Sequence, residues 1–155
     1  MHETMKLSFP GYLYPPSGEG PFPAMLLLHG SEGGNGDYWT EPGAESLLTG
    51  EAALVPMYAR HFASSGFLAY AHSYFGSPGT PQELANIDLQ NTIKAFEWLR
   101  NSPSTHDRKI VLWGGSRGAE LALILAAKLS ELGNPGPNLI IARSPSDFVY
   151  PGLER

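Results

Sequence analysis

The stretch Ile110-Val111-Leu112-Trp113-Gly114-Gly115-Ser116-Arg117-Gly118-Ala119-Glu120-Leu121 constrains the fold more than any other part of the chain. An apolar run leads straight into Gly114-x-Ser116-x-Gly118, and a strongly helical segment, Gly118 to Leu132, follows without a break. A glycine-flanked serine is a common pattern when taken alone. Between a buried strand and a helix it is much more specific. A strand-to-helix turn this tight leaves no room for side chains at positions 114 and 118, and it lifts Ser116 out at the carboxyl end of the strand. The competing explanation is a glycine-rich turn with an incidental serine.

The remaining periodicity builds a sheet around that turn. Lys6 to Tyr14 reads as a short edge strand, and Ala24 to Leu28 is a continuous apolar run ending on His29-Gly30, as in a strand buried on both faces. Leu54, Tyr58 and Phe62 recur at helical spacing up to the stop at Ser65-Gly66. Phe67 to Ser73 is a further strand, Asn86 to Arg100 a helix with Leu89, Ile93, Phe96 and Leu99 on one stripe, Lys109 to Trp113 a strand, and Asn138 to Ala142 the last strand. Strands alternating with helices predict one α/β domain over 1–155: an open, mostly parallel sheet with helices on both faces and its chemistry at the carboxyl ends of the strands. The polar, glycine-rich segment from Ser31 to Gly50 leaves one of those ends. It is expected to be a long, mobile loop bordering the site, with Tyr38 and Trp39 as its anchors.

Composition removes several classes of function. With 42% hydrophobic and 16% charged residues the 155-residue chain is expected to fold around a single core. A net charge of -5 without a Lys/Arg run leaves no footprint for nucleic acid or an anionic membrane. The absence of cysteine excludes disulfides, thiolate metal sites and a cysteine nucleophile. No apolar run approaches the ~20 residues needed to span a bilayer, and Met1 to Lys6 does not lead into a signal-peptide core, so a cytoplasmic protein is expected. No cofactor or metal is called for by these residues.

A serine that attacks a carbonyl needs donors for the oxyanion, and in a fold of this kind they are backbone N–H groups. Arg117, at the mouth of the helix, would supply one. The other would come from Ser31 or Glu32 in His29-Gly30-Ser31-Glu32-Gly33-Gly34, unless that segment is merely a tight turn. Glu32 and Tyr74 are candidate substrate-binding residues, and Tyr38, Trp39 and Tyr74 suggest an apolar or aromatic acyl pocket.

Four pieces in a fixed order carry a resemblance to a known family: Ala63-Ser64-Ser65-Gly66-Phe67 running to Tyr74-Phe75-Gly76; Phe96-Glu97-Trp98-Leu99-Arg100; Gly115-Ser116-Arg117-Gly118-Ala119-Glu120-Leu121-Ala122-Leu123; and Ser144-Pro145-Ser146 followed by Val149-Tyr150-Pro151-Gly152. The chain from Phe62 to Pro151 resembles the C-terminal domain of the bile acid-CoA:amino acid N-acyltransferase and acyl-CoA thioesterase family, within the α/β-hydrolase superfamily and close to dienelactone hydrolases. The resemblance implies acyl transfer from a small-molecule ester or thioester through the residue at position 116. The long segment after Ser31 departs from the short glycine turn of the acyl-CoA enzymes. The family places its acid and its histidine after later strands than Asn138–Ala142, so the chain is expected to lack both.

Within the chain the base and acid have few candidates among the five histidines. His2 is terminal, His61 lies on a helix, His106 is at the amino end of the sheet, and His29 is suited to ordering the oxyanion loop. His72 is the substitute base to consider, against a buried, hydrogen-bonded strand histidine. Asp147 is the candidate acid, against a loop aspartate capping a turn. Glu120 suits the start of a helix, where it favours the macrodipole. Three readings stay open: a serine esterase or thioesterase needing further residues, a hydrolase remnant acting as a binding module, and the first portion of a longer enzyme. Self-association or capture of a complementing C-terminal segment is expected at the open sheet edge.

Overall fold

In the computed structural model residues 10–34 and 54–146 are described. The start of the first predicted strand, residues 35–50 of the long segment with Tyr38 and Trp39, and Asp147 all lie outside them. The element order is β1 (Gly11–Tyr14), β2 (Phe22–Leu28), α1 (Leu54–Ser64), β3 (Leu68–His72), α2 (Leu89–Asn101), β4 (Thr105–Gly115), α3 (Arg117–Glu131) and β5 (Leu139–Arg143). The five strands form one sheet in the order β1-β3-β2-β4-β5, antiparallel at β1 and parallel elsewhere.

The uninterrupted apolar run of β2 is explained by its central place in this sheet. Ala24, Leu26 and Leu28 join one core layer, while Met25 and Leu27 join the other. The alternation repeats along the sheet, with Ile110 and Leu112 on the first side and Trp113 on the second. Helices α2 and α3 cover the first layer through Ile93, Phe96, Leu99, Leu121, Leu125 and Leu129, and α1 covers the second through Val55 and Ala59. Truncating fully buried Phe96 to alanine would cost about 3–5 kcal/mol. No helix among the described residues is long and apolar enough to cross a membrane.

Element boundaries differ from the periodicity in instructive ways. Helix α2 starts at Leu89 rather than Asn86, because Asn86 has φ +54° and Asp88 caps the first turn by accepting from Gln90 N–H at 2.9 Å. Strand β4 begins at Thr105, four residues before Lys109: Thr105 pairs with Phe22 across an irregularity, and the intervening polar residues 106–108 are exposed. Polar residues hide a strand from a hydrophobicity pattern.

Strand β2 has β3 on one side and β4 on the other, and the crossover direction reverses there. The carboxyl ends of β2 and β4 therefore open a crevice at a topological switch point, where α/β sheets place ligands.

Candidate active site

Ser116 sits in that crevice, at the junction of β4 and α3. It is exposed and has φ +52° and ψ -118°, a conformation that L side chains rarely adopt. The turn closes only because its neighbours are glycines. A β-carbon on Gly114 would collide with the Gly118 carbonyl, and one on Gly118 would collide with the backbone carbonyl of Leu28 at the end of β2. Serine usually caps a helix with its hydroxyl, yet Ser116, at the N-cap position of α3, makes no side-chain capping bond. Its backbone is held instead: the Ser116 N–H donates to the Arg143 carbonyl on β5 at 2.9 Å, and its carbonyl accepts from Ala119 N–H at 2.9 Å.

Two groups of backbone donors flank the hydroxyl. Arg117 is the first residue of α3, where an N–H has no intrahelical acceptor and the macrodipole is positive. On the other side the loop after β2 passes close by, since a β-carbon on Gly30 would lie 3.3 Å from Ser116 Cβ. Gly33 N–H donates to the Gly30 carbonyl at 3.3 Å, which makes Ser31 and Glu32 the corner residues of a turn. Glu32 folds back so that its carboxylate accepts the Gly30 N–H at 3.0 Å.

Ser116 opens into a cleft of about 200 Å³ lined by Gly30, Glu32, Val55, Tyr58, Trp113 and Arg143 together with Gly115 and Ser144. Glu32 thus lines the same cleft as Ser116. Tyr74 does not: it is 4% exposed, stacks on His29 at 4.1 Å between ring centroids, and donates its hydroxyl to the His29 carbonyl at 2.7 Å. Burial raises its pKa and keeps it a neutral donor, so it is a support beneath the loop rather than a wall of the cleft. Tyr58 and Arg143 were not recognised from sequence. Tyr58 reads as one more member of a helical stripe; Arg143, a charged residue at the carboxyl end of a strand, is the signal that could have been used.

The histidines at this edge are engaged elsewhere. His29 Nδ1–H donates to the Gly30 carbonyl at 3.0 Å and Nε2 accepts from Tyr74 N–H at 3.3 Å, so both ring nitrogens hold the loop. Burial lowers its pKa to about 3. His72, the candidate base, is wholly buried; Nδ1–H donates to the Pro10 carbonyl at 3.1 Å and Nε2 accepts from the Thr92 hydroxyl at 3.2 Å. Burial lowers its pKa to about 4. Leu28 is in register with His72 on one side and Gly114 on the other, so His72 lies two strands from the Ser116 turn, roughly 10 Å at normal strand spacing. The structure does not bring His72 to Ser116, and the bland alternative, a satisfied strand histidine, describes what it does. His106 pairs with Asp107 near the start of β4, and His61 is exposed on α1.

Glu120, 4% exposed, accepts from the Arg117 guanidinium at 2.6 Å, and the same guanidinium nitrogen donates to Ser146 Oγ at 3.0 Å. The pair ties the first turn of α3 to the segment after β5. Among the described residues no group of three or more His, Cys, Asp or Glu side chains is placed to hold a metal ion.

Residues 87–134, from the approach to α2 through α3, match the family model described as BAAT / Acyl-CoA thioester hydrolase C terminal. The bile acid-CoA:amino acid N-acyltransferase of Mus musculus is 30% identical over 146 residues, which are 92% of this chain and 30% of that protein. Acyl-coenzyme A thioesterase 6 of Homo sapiens is 30% identical over 117 residues, 76% of this chain and 23% of that protein. The chain thus spans less than a third of the length of either relative. A hyperthermophilic esterase from the archaeon Pyrobaculum calidifontis superposes with a TM-score of 0.61 at 18% identity, covering 88% of this chain and 39% of the esterase, which is a likeness of fold. The chain has an incomplete α/β-hydrolase fold, and its sequence is related to the C-terminal domain of bile acid-CoA:amino acid N-acyltransferases and acyl-CoA thioesterases.

Proposed function

We propose that this chain carries the nucleophile half of a serine acyl hydrolase acting on a small ester or thioester. The observation that supports this reading above others is the Ser116 hydroxyl, exposed at a strained turn, free of a capping bond and opening into a cleft at the carboxyl edge of the sheet. In the proposed reaction Ser116 Oγ bonds to the acyl carbon as its proton passes to a base, and the carbonyl electron pair moves to oxygen. The N–H groups of Arg117 and Ser31 receive that oxyanion. Collapse expels the alcohol or thiol, protonated by the same base, and water then releases the acyl group by the same steps. The base in this reading is neither His29 nor His72, since both have their ring nitrogens engaged.

A fluorophosphonate probe tests the assignment of the nucleophile. Label on Ser116 of the folded protein, lost in Ser116→Ala, is the expected result; label concentrated on another serine would move the site. The engaged histidines also favour a second reading, a binding module on a hydrolase frame. Absence of label together with specific ligand binding in the cleft would select it. β5 is the edge of the described sheet and Leu139 on it is 54% exposed, so we further propose self-association or capture of a complementing strand there. Light scattering at increasing concentration reads this directly.

A further inference from the structure

Among the described residues that line the cleft beside Ser116, Glu32 carries the only carboxylate. Its two oxygens are used differently. Oε1 accepts the Gly30 N–H at 3.0 Å, which fixes the carboxylate against the turn after β2. Oε2 borders the same gap as the nucleophile: a β-carbon on Gly30 would lie 2.6 Å from this oxygen and 3.3 Å from Ser116 Cβ. The oxygen and the Ser116 β-carbon are therefore at most about 6 Å apart, a distance over which a charge still favours its opposite.

Among the described residues no lysine, arginine or histidine forms an ion pair with Glu32. Arg143, the cation of the cleft, instead donates to the Tyr58 hydroxyl at 2.7 Å and lies 5.5 Å from the centre of the Tyr58 ring. Arg117 is paired with Glu120 at 2.6 Å. His29, beneath the turn, is neutral because burial lowers its pKa to about 3. That arrangement is awkward for an uncharged substrate. In the proposed reaction the acyl oxygen turns negative and is received by the N–H of Ser31, the residue between Gly30 and Glu32. A carboxylate beside that N–H repels the charge the N–H receives. An acyl group that brings its own positive charge removes the conflict.

We infer that Glu32 is a specificity-determining residue that receives a primary ammonium on the carbon next to the acyl carbon, so that the preferred substrates are esters or thioesters of small α-amino acids. In the acyl intermediate the acyl carbon is bonded to Ser116 Oγ, and the ammonium nitrogen is two bonds beyond it, about 2.5 Å away at about 1.5 Å per bond. A charged hydrogen bond of about 2.8 Å from that nitrogen then bridges the gap to Oε2. A cleft of about 200 Å³, below the roughly 300–1,000 Å³ used by drug-sized ligands, suits a small acyl group. Anchoring Oε1 on the Gly30 N–H limits the carboxylate to few orientations, which lowers the entropy cost of binding.

This assignment deepens the acyl-hydrolase reading and rests on it, but its test does not require turnover. Calorimetry on the full 155-residue Ser116→Ala chain compares leucine methyl ester with methyl 2,4-dimethylpentanoate, which has a methyl group in place of the ammonium, and with acetylcholine. At about pH 6.5 the α-ammonium is largely charged. The ammonium ester is expected to bind roughly 10-fold tighter than its neutral isostere, the low end for a hydrogen bond to a charged group because Glu32 stays open to solvent. Glu32→Gln keeps an oxygen for the Gly30 N–H and should bind the two esters equally, with circular dichroism confirming the fold. Independently of that variant, the preference of the chain with Glu32 in place should shrink at high salt. Equal binding of the two esters, no binding of either, a preference that survives Glu32→Gln, or one indifferent to salt would overturn the inference. Tighter binding of acetylcholine would overturn it as well, since the cation would then belong to the leaving group. Failure of fluorophosphonate labelling would instead strike the nucleophile assignment and leave this measurement standing.

Discussion

The backbone N–H of Ser116 donates to the carbonyl of Arg143 across 2.9 Å, so the residue in the least comfortable conformation of the site is tied to the neighbouring strand rather than to its own helix. Sheet pairing between β4 and β5 thereby maintains the turn, and the strain should be visible in stability.

A serine held at positive φ costs about 1–3 kcal/mol, whereas glycine adopts that conformation at little cost. Ser116→Gly is therefore expected to raise stability by about 1 kcal/mol after glycine's own entropy loss is set against the relief, while Ser116→Ala stays close to the parent. Urea unfolding of the three proteins provides the comparison. A glycine variant less stable than the alanine variant would mean the turn is not strained.

Close approach rather than conformation controls Gly118. An alanine there would drive its β-carbon into the Leu28 and His29 carbonyls, and neither backbone can retreat without parting β2 from β4. Gly118→Ala should cost about 3 kcal/mol or more, or prevent folding. Gly136→Ala, where a β-carbon meets nothing within 4 Å, should stay within about 0.5 kcal/mol and serves as the control.

Acid should destabilise the fold through two histidines. Both are neutral when folded, with pKa values lowered to about 3 at His29 and about 4 at His72, while in the unfolded chain each takes up a proton near 6.5. Below pH 6.5 the unfolded state therefore binds more protons than the folded one. Their contribution is complete above 6.5 and is lost as pH falls towards 4, at about 1.4 kcal/mol per pH unit for each. Together they should remove about 3 kcal/mol between pH 6.5 and 5. Urea midpoints at pH 7, 6 and 5 measure the slope, and His72→Gln should halve it; a flat profile would contradict the buried, neutral assignment.

Turnover should be feeble. A serine without a base loses many powers of ten in rate, although intact oxyanion donors and binding leave roughly 10³–10⁴-fold over water. The 155-residue chain is expected to hydrolyse p-nitrophenyl acetate barely above background. Addition of a polypeptide that brings a histidine to Ser116 should raise the rate. Robust turnover by the purified chain alone would show that a base has been overlooked, and His29→Ala and His72→Ala would then identify or exclude the two at the sheet edge.

Much of the architecture could be read from local pattern, because the physics behind it is local. The all-apolar β2 announced burial on both faces, and glycines at 114 and 118 around Ser116 announced a turn that no other residues could make. Polar stretches misled for the same reason: residues 106–108 continue β4 although nothing in their hydrophobicity says so. The surroundings of Ser116 were another matter. Tyr58 and Arg143, 85 residues apart, meet only because β5 lies beside β4 and α1 covers that face. His72, at the carboxyl end of its strand, had an eligible position, and tertiary packing removed it by setting β2 between it and β4 and giving both ring nitrogens partners. Periodicity determines which residues turn inward, while strand order determines which distant ones meet.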